Sequence, residues 1–313
     1  MLVSTTNAPA QRRISSTAAA DQTLNVIQAL EFSTKYLAGR GIESPRLNAE
    51  RLICHTLDLS RVEMYLNFER PLSGKEQTEF RKLLKRRGTH EPLQHIVQIV
   101  EFLSLPFRVT PAVLIPRPET EILAERCMVA WKGRRMSRAP RILDMGTGSG
   151  CIAVSLAANI PGAECTAIDV SDEALAVAEK NAAANGVSER IRFIQADVLQ
   201  RHTLECIGST FDIVVSNPPY VSIRDFENLP EEIRLFEPEI ALTDGGDGLT
   251  YYRAIANLAP HFLEGGGHLM VEIGAGQEEA VKRLFQDSGF TQVAAFADLN
   301  DIQRVISAEL SNL

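Results

Sequence analysis

No stretch of this 313-residue sequence is long and apolar enough to span a membrane, and no apolar signal-peptide core follows the first residues. A membrane-spanning helix needs about 20 consecutive apolar residues, and an export signal needs a shorter apolar core near the start. The sequence therefore predicts a soluble, cytoplasmic protein with no membrane partner.

Cysteine is scarce, and no two cysteines form a CxxC pair. Five cysteines, an odd number, argue against a disulfide framework and against a zinc site. We expect reduced thiols that fill small spaces in the core, and no bound metal.

Positive charge is also in short supply: 32 Lys and Arg stand against 40 Asp and Glu, for a formal net charge of −8. Partners bound mainly through phosphates usually select a basic face, so the composition disfavours nucleic acid as a direct target. One local basic cluster is interpreted as a solvated helix face. It consists of Arg81, Lys82, Lys85, Arg86 and Arg87.

The N-terminal part of the sequence consists of two segments that differ in composition and pattern. Residues 1–20 are rich in Ser, Thr and Ala and predict a disordered extension, although two arginines and the lack of acids also resemble an organellar transit peptide. Residues 21–91 carry apolar residues at helical spacing, and Ser73 with Glu76 forms a capping-box pattern. This segment is predicted to be a small helical bundle.

The remainder predicts an α/β domain. Prolines interrupt short β-like pieces in residues 92–118, which indicates a hairpin or linker. From residue 119 to 313, strands and helices alternate, which is typical of a doubly wound, mostly parallel sheet. Two late pieces, "TQVAAFAD" and "DIQRVISAE", are expected to add an antiparallel edge pair and so complete seven strands. The other strands are predicted at residues 141–145, 165–170, 191–197, 211–217 and 267–273.

Three successive strand ends offer groups suited to a nucleoside. "LDMGTGSGC" places Gly146, Gly148 and Gly150 between a strand and a helix, where backbone amides can approach a ligand. Asp169 ends the second strand and can take both ribose hydroxyls, while Asp197 ends the third and can accept from an adenine amine. The turn lacks the third glycine of the dinucleotide fingerprint, so a pyrophosphate ligand is disfavoured.

A rigid turn follows the fourth strand. Asn217, Pro218, Pro219 and Tyr220 place one amide and one aromatic ring around two prolines that fix the backbone. Taken alone, such a turn could be purely structural.

These motifs together resemble the HemK/PrmC family of protein-glutamine methyltransferases over roughly residues 22 to 313. The resemblance rests on "EPLQHI", "IPRPETE", "LDMGTGSGC", "NPPYV", "FEPEIAL", "DGLTYYR" and "VEIGAGQ". "QHIVQIVEF" lacks the glycine usual in the family, and "NDIQRV" is atypical.

The resemblance implies S-adenosylmethionine as cofactor, S-adenosylhomocysteine as product, and a Rossmann-like methyltransferase fold preceded by a helical substrate-recognition domain. The implied substrate is the glutamine of the Gly-Gly-Gln loop in class 1 peptide release factors. The implied cofactor-binding residues are Gly146, Thr147, Gly148, Ser149, Gly150, Asp169, Asp197 and Asn217.

The turn after the fourth strand then acquires a catalytic interpretation. The Asn217 side-chain oxygen and the Pro218 carbonyl can accept the two N–H bonds of a planar substrate nitrogen, while Tyr220 stacks on it and excludes water. We predict Asn217, Pro218 and Tyr220 as catalytic residues and place Pro219 with them in the substrate site.

The same turn suits the amine of a nucleic-acid base, so charge has to decide between the substrates. Residues 222–247 carry eight acids and two bases, which would repel phosphates and attract a basic protein loop. A monomeric protein methyltransferase is therefore the first expectation. A nucleic-acid methyltransferase and a non-catalytic S-adenosylmethionine-binding module are the alternatives.

Overall fold

The structure is a computed structural model, and it divides into two compact units. One unit ends at Thr89 and the other begins at His90. The extension predicted for residues 1–20 lies outside the described residues, and the finer boundaries at residues 92 and 119 stay predictions. No helix among the described residues is long and apolar enough to cross a membrane. The residues described are 24–134, 138–200 and 203–311.

The first unit is helical, as its apolar spacing predicts. The capping box predicted before its last helix is present, with Ser73 Oγ accepting from the Glu76 N–H at 3.3 Å and the Glu76 carboxylate accepting from the Ser73 N–H at 2.7 Å. These paired bonds satisfy donors that a helix start otherwise leaves open. The helices are α1 (Val26–Ala38), α2 (Pro45–Leu57), α3 (Arg61–Leu66) and α4 (Gly74–Arg87).

The basic cluster on α4 is only partly solvated. Arg81, Lys82 and Lys85 are exposed, but Arg87 is 4% exposed and donates from Nε to Asn48 Oδ1 at 2.7 Å. The interpretation of the whole cluster as a solvated face is therefore wrong for Arg87, which ties α4 to α2.

The second unit begins with a short helix and a hairpin. Helix α5 (Leu93–Val97) precedes the antiparallel strands β1 (Ile99–Phe102) and β2 (Leu105–Arg108). Gln98, between α5 and β1, has a φ of +60°, in the left-handed region that favours glycine. Gln98 therefore carries a side chain on backbone that glycine adopts more readily.

The predicted seven-stranded, mostly parallel sheet is confirmed. Its order is β5-β4-β3-β6-β7-β9-β8, with β3 to β7 parallel and β9 antiparallel to both of its neighbours. The last two strands therefore form the expected antiparallel edge pair. The strands are β3 (Arg141–Met145), β4 (Glu164–Asp169), β5 (Ile191–Gln195), β6 (Phe211–Ser216), β7 (Leu263–Glu272), β8 (Phe290–Ala297) and β9 (Gln303–Leu310).

Apolar cores cover both faces of this sheet. One core contains residues of α6 (Pro118–Gly133) and α7 (Cys151–Asn159), and the other contains residues of α12 (Thr250–Phe262) and α13 (Glu278–Asp287). Cys127, Cys151 and Cys165 lie in the first core, as expected, but Cys206 is exposed, so the prediction of core filler is wrong for it. The helices of this unit after α5 are α6 (Pro118–Gly133), α7 (Cys151–Asn159), α8 (Asp172–Ala184), α9 (Thr203–Ile207), α10 (Ile223–Phe226), α11 (Glu231–Arg234), α12 (Thr250–Phe262) and α13 (Glu278–Asp287).

The strand order reverses between β3 and β6. There Met145 pairs with Ser216, and Ser216 Oγ donates to the Met145 carbonyl at 2.7 Å. The loops that follow these two strands are thus held side by side. In open parallel sheets, ligands bind at this reversal point, outside the carboxyl ends of the strands.

Candidate active site

A cleft opens at the reversal point, beside the residues that follow β3 and β6. Among the residues predicted for the site, Gly150, Pro218 and Tyr220 do not line it. Those that do are Gly146, Thr147, Gly148, Ser149, Asp169, Asp197, Asn217 and Pro219.

The glycine-rich turn after β3 is tied to the neighbouring strand. The N–H groups of Gly146 and Thr147 both donate to the Ile168 carbonyl at 2.9 Å. Gly150 instead serves helix packing, since its φ is +78° and a Cβ there would lie 3.0 Å from Cβ of Ala178 on α8. The turn thus presents its first residues to the cleft and uses its last to start α7.

The carboxylate of Asp169 is fixed at the cleft wall. Its Oδ2 accepts from the Gly148 N–H at 2.8 Å and its Oδ1 from the Ser171 N–H at 3.0 Å. Burial raises the pKa of Asp169, and the backbone donors oppose that rise. Each oxygen has a further lone pair, so the group can also accept two ligand hydroxyls. Asp197 is held similarly, with Oδ1 accepting from the Leu199 N–H at 2.8 Å.

A third carboxyl group, Asp144, is buried beneath the glycine-rich turn. Thr147 Oγ1 donates to Asp144 Oδ2 at 2.6 Å, while Oδ1 has no hydrogen-bond partner among the described residues. Burial raises the pKa of Asp144 to about 7, the Thr147 bond opposing it. The folded protein therefore retains a proton here that the unfolded chain loses in mild acid.

This proton predicts a pH-dependent effect of Asp144→Asn. In the wild type, the raised pKa of Asp144 stabilises the folded state at low pH, and this stabilisation is lost as the pH rises towards about 7. The asparagine of the variant still accepts from Thr147 but never ionises, so its contribution does not change with pH. The quantity to follow is the free energy of unfolding of the variant minus that of the wild type. From about pH 5 to about pH 8, this difference should become more positive by on the order of 2 to 3 kcal/mol. Denaturant titrations without ligand measure it. A constant difference across this range would contradict the prediction.

The turn after β6 is held by buried side chains from distant segments. Asn217 Nδ2 donates to Thr120 Oγ1 at 3.1 Å, and Thr120 Oγ1 donates to Glu272 Oε2 at 2.6 Å. The other Glu272 oxygen, Oε1, accepts from the Tyr220 hydroxyl at 3.2 Å. One carboxylate at the end of β7 thus reaches both predicted catalytic side chains.

The backbone of Tyr220 is clamped as well. Gln277 Nε2 donates to the Tyr220 carbonyl at 2.9 Å and to the Gly248 carbonyl at 3.2 Å. Gly248 has a φ of +82°, and a Cβ there would lie 2.5 Å from the Tyr220 carbonyl oxygen. Any larger residue at 248 would push the turn away from its place.

An ion pair between Arg117 and Glu237 connects two segments that line the cleft. Glu237, 6% exposed, accepts from Arg117 and, at 3.1 Å, from the Ile115 N–H. Burial raises the pKa of Glu237, and Arg117 opposes that rise. The pair joins the segment before α6 to the segment after α11, and both segments line the cleft at Pro116 and Pro238.

Sequence reasoning assigned no role to Thr120, Glu272 or Gln277. Thr120 lies in "IPRPETE", and the other two lie in "VEIGAGQ". An acid in an otherwise apolar strand was the available signal for Glu272, because a buried charge needs partners.

Comparison with known proteins identifies the family. The family model of the PrmC N-terminal domain matches residues 28–97, and that of the methyltransferase small domain matches residues 120–248. A release factor glutamine methyltransferase of Chlorobaculum tepidum is 43% identical over 285 residues, covering 90% of this chain and 96% of that protein. This chain belongs to the release factor glutamine methyltransferase family.

Further relatives agree with this membership. The release factor glutamine methyltransferase of Geobacter sulfurreducens is 41% identical over 284 residues, covering 90% of this chain and 96% of that protein. Among solved structures, the hMettl16 catalytic domain has a TM-score of 0.52 at 16% identity, covering 74% of this chain and 82% of that chain. At that identity the likeness concerns the fold alone. The HemK/PrmC resemblance noted in the sequence is confirmed.

Membership in a methyltransferase family makes S-adenosylmethionine the methyl donor. The cleft suits it, because fixed carboxylates at Asp169 and Asp197 can accept from ribose hydroxyls and from an adenine amine beside a glycine-rich turn. The cofactor-binding roles of these residues stay predictions.

Proposed function

We propose that this chain methylates the side-chain amide nitrogen of the glutamine in the Gly-Gly-Gln loop of class 1 peptide release factors. Relatedness over 96% of two release factor glutamine methyltransferases is the observation that supports this substrate most strongly. A match over nearly the full length includes the N-terminal region as well as the methyltransferase region. A cytoplasmic monomer remains the expectation.

The reaction requires the cleft to orient and activate a poor nucleophile, the amide nitrogen of the substrate glutamine. An amide nitrogen shares its lone pair with the carbonyl, so it reacts only if its plane is fixed and its N–H bonds are polarised. The bound cofactor supplies an electrophilic methyl group on a sulfonium sulfur. In our proposal, Asn217 Oδ1 and the Pro218 carbonyl accept the two substrate N–H bonds while the N–C bond forms and the S–C bond breaks. The nitrogen then loses one proton to water.

Neither proposed acceptor is occupied by a donor from the described residues, although Pro218 itself is buried and does not line the cleft. Within the described residues, no hydrogen bond ends on Asn217 Oδ1 or on the Pro218 carbonyl. Asn217 also lines the cleft, next to the glycine-rich turn. A substrate amide would therefore not have to displace an internal donor.

A labelled-methyl transfer assay tests the proposal directly. Purified release factor should accept the methyl group, and a release factor whose Gly-Gly-Gln glutamine is replaced should not. DNA and RNA, assayed in parallel, should remain unlabelled. Preferential labelling of nucleic acid would overturn the proposed function.

The segment of residues 222–247 follows the catalytic turn and is acidic, although less so at its surface than in its composition. Glu237 is buried against Arg117, and Asp244 is occupied in accepting from the N–H groups of Gly246 and Gly248. The acids that are exposed are Asp225, Glu227, Glu231, Glu239 and Asp247. These five still outnumber the exposed bases Arg224 and Arg234.

We expect neutralising this surface to slow association with a basic protein loop. The triple variant Asp225→Asn, Glu227→Gln, Glu231→Gln should lower kcat/KM for release factor by about three- to tenfold at low salt, with kcat unchanged. The wild-type value should fall with added salt, while that of the variant should change little. Neutralising three exposed acids elsewhere, Glu173, Glu179 and Glu189, provides the matched control. Equal salt dependence in all three proteins would dismiss electrostatic steering by this segment.

A further inference from the structure

The buried carboxyl group of Glu272 is the strongest feature that the proposed mechanism leaves without a role. It is 2% exposed and ends the interior strand β7. Burying a carboxylate is costly unless each oxygen finds a donor, and here the donors are the hydroxyls of Thr120 and Tyr220. Thr120, in the first turn of α6, is itself 1% exposed and bonded to Asn217.

The direction of these hydrogen bonds determines how Asn217 is oriented. An ionised carboxylate only accepts, so the single hydroxyl proton of Thr120 must point to Glu272. Thr120 Oγ1 can then only accept from Asn217, which turns the NH₂ group of Asn217 towards Thr120 and its oxygen away. The oxygen is thereby left for a ligand in the cleft that Asn217 lines.

We propose that Glu272 is a positioning residue for methyl transfer, because it fixes the carboxamide of Asn217 through Thr120 and holds the hydroxyl of Tyr220 with its other oxygen. This inference rests on the proposed function, in which the Asn217 oxygen accepts an N–H bond of the substrate. Glu272 itself does not line the cleft.

Protonation of Glu272 leaves it one acceptor oxygen for two hydroxyl donors. With the proton on Oε2, the carboxyl donates to Thr120 Oγ1, whose own proton can then go to Asn217, and the carboxamide turns so that its NH₂ group meets the N–H bonds of the substrate. With the proton on Oε1, the bond to the Tyr220 hydroxyl is the one that reverses. Only the ionised form of Glu272 accepts from both hydroxyls at once.

Burial raises the pKa of Glu272 to about 7, and bonds from Thr120 and Tyr220 oppose that rise. Turnover by the wild type should therefore increase as pH rises through neutrality. Charged groups on the surrounding elements also act on this carboxyl group: Glu119 on α6 raises its pKa and Arg304 on β9 lowers it. Glu272 in turn raises the pKa of two further groups that face it, Tyr252 on α12 and Cys151 on α7.

Two matched substitutions at Thr120 test the relay with the Glu272 side chain left in place. Thr120→Ser keeps the hydroxyl and should retain kcat within about threefold, while Thr120→Val keeps the shape and should lower kcat by about tenfold or more. The valine variant should also lose the rise of kcat through neutral pH. The cofactor Kd and the KM for release factor should stay near the wild-type values in both.

Glu272→Gln supplies the direct test. A glutamine can accept from only one of the two hydroxyls and turns its NH₂ group to the other, Thr120 or Tyr220, at every pH. The kcat at about pH 8 should therefore fall by about ten- to a hundredfold and no longer vary near neutrality. Thermal unfolding and cofactor affinity, measured on the same protein, check that it has folded.

The outcomes separate this inference from the proposed function. A wild type that does not methylate release factor would refute the proposed function. If the wild type is active but its kcat is flat from about pH 6 to pH 8.5, or if Thr120→Val matches Thr120→Ser, the positioning role is refuted alone. Loss of cofactor affinity in parallel with kcat in Thr120→Val would also refute it, since that pattern indicates a general structural defect.

Discussion

Replacing Asp169 by alanine is expected to weaken S-adenosylmethionine binding by roughly 2 to 4 kcal/mol, or about 30- to 1000-fold in Kd. The carboxylate is already held by the N–H groups of Gly148 and Ser171, so it pays little rotamer entropy when it accepts from two ribose hydroxyls. Both lost bonds involve a charged acceptor in a partly buried cleft, where such bonds are stronger than in water. Calorimetric titration of wild type and variant measures the difference.

Two companion variants define what Asp169 contributes. Asp169→Asn keeps an acceptor but loses the charge, so its affinity should fall between those of the wild type and the alanine variant. Asp172→Ala, three residues away and exposed, removes a carboxylate that does not line the cleft and should leave Kd unchanged. Thermal unfolding without ligand reveals any loosening of the glycine-rich turn. An unaltered Kd in Asp169→Ala would remove this residue from the cofactor site.

The sheet could be read from the sequence because strands covered on both faces are nearly continuous apolar runs. The strand predicted at residues 141–145 is observed at Arg141–Met145. The strand predicted from residue 267 instead begins at Leu263, because the intervening glycines resemble a turn. These glycines lie in an irregular stretch of β7, because its register against β6 passes directly from Leu263 opposite Phe211 to His268 opposite Ile213, and the pairs with β9 run from His268 to Glu272.

The cofactor side of the cleft was equally accessible to sequence reasoning. Its residues follow consecutive strands, and parallel strands bring their carboxyl ends to one edge whatever the details of packing. The substrate side was not, because its contacts are non-local. Asn217 and Thr120 are 97 positions apart, and Thr120 and Glu272 are 152 apart. No spacing rule connects such residues; only the folded sheet brings α6, β6 and β7 together.

Asn217→Ala is expected to lower the rate of methyl transfer by on the order of a hundredfold or more, comparable to removing one preorganised oxyanion-hole group. The substrate nitrogen loses electron density as the methyl group arrives, so its N–H bonds become better donors in the transition state than in the ground state. The Asn217 oxygen therefore contributes mainly to kcat. Cofactor affinity should change far less, because the carboxylates of Asp169 and Asp197 remain. Single-turnover rates at saturating cofactor measure the effect.

Asn217→Asp is the sharper control for this role. The carboxylate keeps an acceptor for the substrate but places a charge beside the sulfonium, which stabilises the reactant cation and slows transfer. It also sets two acceptors against each other, because Thr120 Oγ1 gives its proton to Glu272 and has none to offer a carboxylate at 217. The aspartate variant should therefore be slow as well, despite keeping size and acceptor. Near-normal transfer by Asn217→Ala would mean that the turn after β6 only ends a strand and takes no part in the reaction.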